Sequence, residues 1–241
     1  MAVAVTNILG GTDEDGNSSS TTASFTPSAN KLQFLTVGSR TGITADPNQP
    51  TVTGDGLTWV VVNSVVYDTT SASRRRQTVF RALGASPSTG SLTIDFGGQN
   101  QTDVVWILDE ASGMDTTGTN GSGAVVQSVT NKDETGTATS LTVTLAAFGS
   151  ADNATYGSFG WDGSTSTGTQ GSGFTLLKTQ NDTGTDISSL TEFKNTNDTS
   201  VDATFSPAVG VVGGIAIEIK AATVASVVTS IIANPVAALS S

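Results

Sequence analysis

Apolar and polar residues alternate with period two along much of the chain. Leu92, Ile94 and Phe96 fall on one side of their segment, as do Leu141, Val143 and Leu145, and again Ile215, Ile217 and Ile219. Such alternation buries one face of a strand and wets the other. Strand-like segments span 31–37, 57–67, 75–83, 91–96, 103–108, 124–130, 140–146, 154–161, 174–179, 190–194, 201–205 and 215–220, each bounded by Gly, Asn, Asp, Ser or Pro. Nothing between Thr21 and Ala222 holds a helical period. The pattern predicts an all-β, antiparallel two-sheet sandwich over 21–222, of jelly-roll or concanavalin-like type. No repeat of fixed period is visible, which speaks against a solenoid or propeller.

Two appendages flank this body. Residues 1–20 read as a short N-terminal arm, apolar over Val3–Leu9 and then polar in TDEDGNSSSTT. Residues 223–241 read as a C-terminal apolar tail in which Val224, Val227, Val228, Ile231 and Ile232 share one helical face before Asn234–Pro235 stops it. Such a tail either lies across its own sandwich or buries its stripe against a neighbouring subunit.

Composition narrows the chemistry. The 241 residues include no cysteine and no histidine, with 10 basic and 21 acidic side chains for a net charge of -11. Disulfides, Cys/His zinc sites, iron–sulfur clusters, cysteine nucleophiles and histidine-based triads are excluded for the chain acting alone. A nucleic-acid partner needs a basic stripe that is absent. Charged residues make up 13% of the chain, against about 25% in an average domain. In their place stand 40 threonines and 29 serines, and β-branched threonine suits a solvated strand face. The first eleven residues lack a basic n-region and a long apolar core, so no secretory signal is expected. The tail is too interrupted by Thr, Ser, Asn and Pro to span a membrane.

Four groups of residues invite a chemical reading. Asp13, Asp15 and Asn17, with Gly16 for a sharp turn, resemble the opening of a Ca²⁺ loop, although the downstream bidentate Glu is missing; Asp182 with Asp186, and Asp133 with Glu134, are weaker versions. Asp109, Glu110 and Asp115 are the densest acidic group beside a strand end and would serve a glycosidase if two of them converged, yet neighbours on a strand point to opposite faces. Arg74, Arg75 and Arg76 hold three of the five arginines; the run either pairs with acidic neighbours across strands or docks on an acidic subunit surface. Tyr156, Phe159 and Trp161 could form a sugar-stacking platform or simply fill a core.

The order GDGLTWVVVNSVVYDTTSASRRRQTVFRALG, SLTIDFGG, VVWILDEASGMDTTG, SLTVTLAAFGSADNATYGSFGW and GGIAIEIKAA resembles a group of β-sandwich proteins encoded among bacteriophage structural genes. The likeness covers about residues 50–222. It includes a Trp strand, the Phe80–Arg81–Ala82 strand end, the turn Ser112–Gly113–Met114–Asp115 and a final alternating strand. The resemblance implies a non-enzymatic virion component with a jelly-roll-like fold, of the head decoration or cement type. Such a protein is made in the host cytoplasm and sits on the capsid exterior. Its expected partners are the major capsid protein and copies of itself, such proteins often being trimers, with no nucleic acid, no membrane and no cofactor beyond an occasional Ca²⁺. Within that frame Arg74, Arg75, Arg76 and the tail stripe Val224, Val227, Val228, Ile231 and Ile232 are the expected partner-binding residues. The alternatives are a tail or fibre module that binds glycans through loops such as 152–173, and a carboxylate glycoside hydrolase.

Overall fold

Sixteen strands form in the computed structural model, which describes residues 2–163, 165–184 and 186–223. The first eight are β1 (Ala4–Asp13), β2 (Ser19–Thr21), β3 (Leu32–Arg40), β4 (Thr51–Gly54), β5 (Val60–Asp68), β6 (Arg75–Ala82), β7 (Leu92–Asp95) and β8 (Asp103–Ser112). A linker with a 3-10 segment, Thr119–Ala124, leads to β9 (Val125–Asp133), β10 (Ala138–Thr144), β11 (Ala154–Trp161), β12 (Thr167–Gln170), β13 (Thr175–Asn181), β14 (Ser188–Lys194), β15 (Ser200–Val209) and β16 (Val212–Ile219). All ladders are antiparallel.

The second eight strands repeat the first. The large sheets run β1-β8-β3-β6-β5 and β9-β16-β11-β14-β13 when read from equivalent edges; the small ones run β2-β7-β4 and β10-β15-β12. Within each half, the order 1-8-3-6 beside 2-7-4 is a jelly-roll winding, except that the fifth strand pairs with the sixth on the large sheet. The expected all-β antiparallel sandwich is therefore present twice.

The two halves lie back to back in four layers. Each small sheet covers the outer face of its own large sheet: Trp59, Leu92, Ile94 and Phe96 pack with Leu35, Phe80 and Trp106 in the first half, and Val143, Val201 and Phe205 pack with Phe159, Trp161 and Leu190 in the second. The large sheets then bury each other's inner faces, with Phe34 and Val79 against Tyr156, Ile215 and Ile217. This explains two burial patterns. Central strands β3, β8, β11 and β16 are covered on both faces and buried almost throughout, whereas β7 and β10 alternate with one face in water.

The halves are related by an approximate two-fold axis that passes between β3 and β11. Ser28-Ala29-Asn30 leads into β3 as Ser150-Ala151-Asp152 leads into β11, and Gly38 and Gly160 stand at matching places. Phe34 and its equivalent Tyr156 stack across the axis, ring centroids 4.9 Å apart. Beyond β8 and β16 the chain ends pair as well: Met114 bridges Ala221, and Gly113 accepts from the Ala222 N–H at 2.9 Å.

Residues 4–13, expected in a free arm, form β1 at the edge of the first large sheet, paired along β8 from Ala4–Ser112 to Asp13–Val104. The ladder satisfies backbone groups that NILGGTD would otherwise leave to water, and Val3 and Val5 enter the core between the halves. Short strands β2, β4 and β12 also went unanticipated. The tail stripe Val224–Ile232 lies outside the described residues.

Candidate functional site

The ionic groups gather where β3 ends, β8 begins and the β13–β14 hairpin turns. Arg40 and Asp103 face each other in the β3–β8 register. The Arg40 guanidinium donates from Nη1 to Asp103 at 2.6 Å and to Asp186 at 2.9 Å. Asp182 joins them: carboxylate oxygens of Asp103, Asp182 and Asp186 all lie within 4.8 Å of one another. Both Asp182 oxygens accept from the Asp186 N–H, at 3.1 and 3.0 Å. Burial pushes the Asp182 carboxyl above its ordinary range, and the neighbouring Asp103 and Glu14 add to the rise. Three carboxylates of this spacing could hold a hard cation; here Arg40 supplies the positive charge. The loop carrying Asp13 and Asp15 is tied to the same hairpin, since Glu14 accepts from the N–H and hydroxyl of Thr183, both at 2.6 Å. Those bonds hold the Glu14 carboxyl below its usual range. Asp13 accepts the Asp15 N–H at 3.0 Å, an ordinary turn contact.

Alternation splits the arginine run. Arg75 points inward, is buried, pairs with Asp68 and donates from Nε to the Asp186 carbonyl at 2.9 Å. It thereby ties the β5–β6 hairpin of the first half to the β13–β14 hairpin of the second. Arg74 pairs with Asp46 at 2.6 Å, and Arg76 donates to the Pro47 carbonyl at 2.7 Å and to Ser64 at 2.9 Å. Each guanidinium has partners within the chain.

The acidic group at the end of β8 does not converge. Asp109 faces the other half, fully buried, and accepts from Tyr156 Oη at 2.8 Å and Asn7 Nδ2 at 2.9 Å; burial raises its pKa to about 6 despite those bonds. Glu110 points the opposite way, accepting from Gln33 at 2.7 Å and the Ser28 N–H at 2.9 Å, with Lys31 nearby. Asp115 pairs with Lys220 at 2.7 Å and accepts the Thr117 N–H at 2.7 Å; these contacts pull its pKa down to about 2.

The aromatic trio is internal. Tyr156, Phe159 and Trp161 are all fully buried. Tyr156 lies between the halves, while Phe159 and Trp161 face the outer core of the second half, so no sugar platform exists there. Strand periodicity held that answer, because positions 156 and 159 fall on opposite faces.

Sequence reasoning missed Glu192. In β14 it takes the place that Phe80 holds in β6, opposite Gly157 where the first half has Leu35. Its Oε2 accepts the Gly171 N–H at 2.8 Å, while the buried Oε1 has no partner. Burial raises its pKa to about 8, with Asp202 and Asp198 adding to the effect. The signal was a carboxylate two residues after Leu190, on the same strand face.

Compared with known proteins, the chain matches no family model, no curated protein and no solved structure.

Proposed function

We propose that the chain is a non-enzymatic structural protein of a bacteriophage virion, a head decoration or cement subunit that binds the capsid exterior beside the major capsid protein. The observation that carries this reading is the doubled body. Two jelly-roll units bury their large sheets against each other, leaving a four-layer block that meets its surroundings through outer sheets, strand edges and loops. Such a block acts by shape and contact. The carboxylates nearest a strand end each serve a separate internal bond, which leaves them to hold the fold. Copies carrying net charge -11 repel one another where they crowd, so close placement on a shell is favoured by salt that screens them. The resemblance of residues 50–222 to phage β-sandwich proteins supplies the class of assembly. Binding only to the finished shell, the subunit stabilises that shell by mass action.

Electron microscopy of virions made with and without the protein tests the reading. Extra density on the head surface, and earlier shell opening on heating when it is lacking, are expected. Identical head surfaces would sink the proposal.

A further inference from the structure

The turn after β1 has a counterpart after β9. Asp13 pairs with Val104 at the last step of the β1–β8 ladder, as Asp133 pairs with Val212 in the β9–β16 ladder, so Asp13 and Glu14 correspond to Asp133 and Glu134. Each glutamate clasps a threonine of the opposite half: Glu14 accepts from the N–H and hydroxyl of Thr183, and Glu134 from those of Thr69. Each aspartate accepts the N–H two residues on, from Asp15 at 3.0 Å and from Thr135 at 2.8 Å. Both halves keep these bonds, which mark them as architecture. The first half adds Asp15 where the second has Thr135, and Trp106 opposite Gly11 where the second has Gly214 opposite Asn131. In the second half Phe159 fills the space over Gly214, where a Cβ would stand 2.7 Å from its Cε1. In the first half a shallow pocket of about 380 Å³ opens between Thr12, Asp13, Glu14, Asp15, Thr21 and Trp106. Trp106, only 4% exposed, is its floor. The indole passes across Gly11, where a Cβ would stand 2.5 Å from Cζ2 and 3.0 Å from Nε1. That glycine lets the Nε1 edge reach the sheet margin beneath the pocket. Nε1 is buried and has no hydrogen-bond partner among the described residues, a costly state for a donor unless something in the pocket accepts from it.

We propose that this pocket is a saccharide site, in which one ligand hydroxyl oxygen accepts from Trp106 Nε1 and neighbouring ligand hydroxyls donate to Asp13 and Asp15. The lining selects the class. Three carboxylates with no cation among them repel an anion. A metal ion or an ammonium group suits the carboxylates but has no lone pair to offer an N–H. A sugar ring carries adjacent hydroxyls that both donate and accept, which matches acceptors on the wall and a donor in the floor. Glu14 is engaged by Thr183, so it holds the turn in place and leaves the contacts to the two aspartates. The volume lies near the lower limit of small-molecule sites, about 300–1,000 Å³, which suits the end of a glycan rather than a long stretch of one.

Nuclear magnetic resonance of the full chain labelled with ¹⁵N-tryptophan reads the site directly. The chain has three tryptophans, and Trp106→Phe, which gives up an N–H that bonds to nothing, identifies the Trp106 indole signal. The probes are the methyl glycosides of glucose, galactose, mannose, rhamnose and N-acetylglucosamine, each raised to about 50 mM, well above a millimolar Kd. At least one is expected to shift the Trp106 indole resonance saturably while that of the enclosed Trp161 stays in place. Asp15→Asn, on an exposed turn, should weaken that glycoside about tenfold or more, the worth of one charge-assisted hydrogen bond. Asp152→Asn, on the loop before β11, should leave it unchanged. The proposal is overturned if no glycoside moves the Trp106 signal, or if Asp15→Asn binds as tightly as the parent. Ca²⁺ alone shifting that signal saturably would make the pocket a cation site and overturn it as well.

Discussion

Thr36 and Ser158 hold equivalent positions in the two halves, and their hydroxyl oxygens meet 3.2 Å apart on the axis between them. The contact belongs to a polar seam inside an otherwise apolar interface. Gln77 donates to Ser158 at 3.0 Å and accepts from Ser189 at 3.1 Å, and Asp109 accepts from Tyr156. Buried polar pairs add little net stability, but each unpaired member is costly, so the seam selects one registration of the two sheets. Thr36→Val and Ser158→Ala should each destabilise by about 1–3 kcal/mol. The double variant should lose less than the sum, because both single variants remove the same Thr36–Ser158 contact. Denaturant unfolding of the four-member cycle measures this, and strict additivity would remove the seam from the account.

Close approach of the halves also depends on Gly213. A Cβ there would stand 2.6 Å from Tyr67 Cβ, in a place where neither backbone can yield. Gly213→Ala is expected to cost about 1–3 kcal/mol through overpacking. Gly149→Ala, where a Cβ meets nothing within 4 Å, should stay within about 0.5 kcal/mol. Equal melting temperatures for the two variants would refute the close packing of Tyr67 on β16.

Glu192 gives stability a pH dependence of definite sign. Its folded pKa of about 8 lies above the ordinary 4.5 of a glutamate, so the folded chain keeps a proton that the unfolded chain releases. Stability should therefore fall as pH rises from about 4.5 to about 8, by up to about 1.4 kcal/mol per pH unit. Glu192→Gln removes that slope. The melting temperature of the variant should pull ahead of the parent steadily from pH 5 to 8. Asp109, raised from 3.8 to about 6, contributes the same sign at lower pH, so Asp109→Asn should flatten the curve only below about pH 6. Parallel curves for parent and Glu192→Gln would show that the carboxyl is solvated.

Arg40 neutralises a site holding three carboxylates. Arg40→Met leaves Asp103 buried without its cation and should cost about 3–5 kcal/mol. Arg40→Met/Asp103→Asn should recover part of the loss. If the double variant were as unstable as the single one, packing of the arginine stem rather than its charge would be responsible.

Strand alternation made most of the fold legible: each of the twelve expected segments contains a strand. What escaped was short or irregular. The strands β2, β4 and β12 have three or four residues, too few for a period to show, and β1 mixes Asn, Gly and Thr around a bulge between Asn7 and Leu9. The duplication was hidden for a different reason. Equivalent residues such as Thr36 and Ser158, or Glu110 and Glu218, are separated by different numbers of residues because the intervening loops differ in length, so no fixed period survives. Equivalent places also carry different chemistry, as Phe80 and Glu192 do. Arg75 and Trp161 were within reach of the sequence, since a two-residue period sends each inward. The meeting of Arg40 with Asp103, 63 residues apart in the chain, was not, because it requires knowing which strands pair.

The order of the strands has a consequence for synthesis. Each half is closed when its eighth strand slides between its first and third, so the N-terminal jelly roll has all its strands before the second half has been made. During that interval its large sheet presents Phe34, Val79 and the uncapped Asp109 to solvent, a surface shaped for a C-terminal half that does not yet exist. On crowded ribosomes a half borrowed from a neighbouring chain fits it equally well. Exchanged dimers are thus the characteristic misassembly of this architecture, and the short tether from Gly113 to Ala124 works against them by keeping the chain's own second half closest at hand.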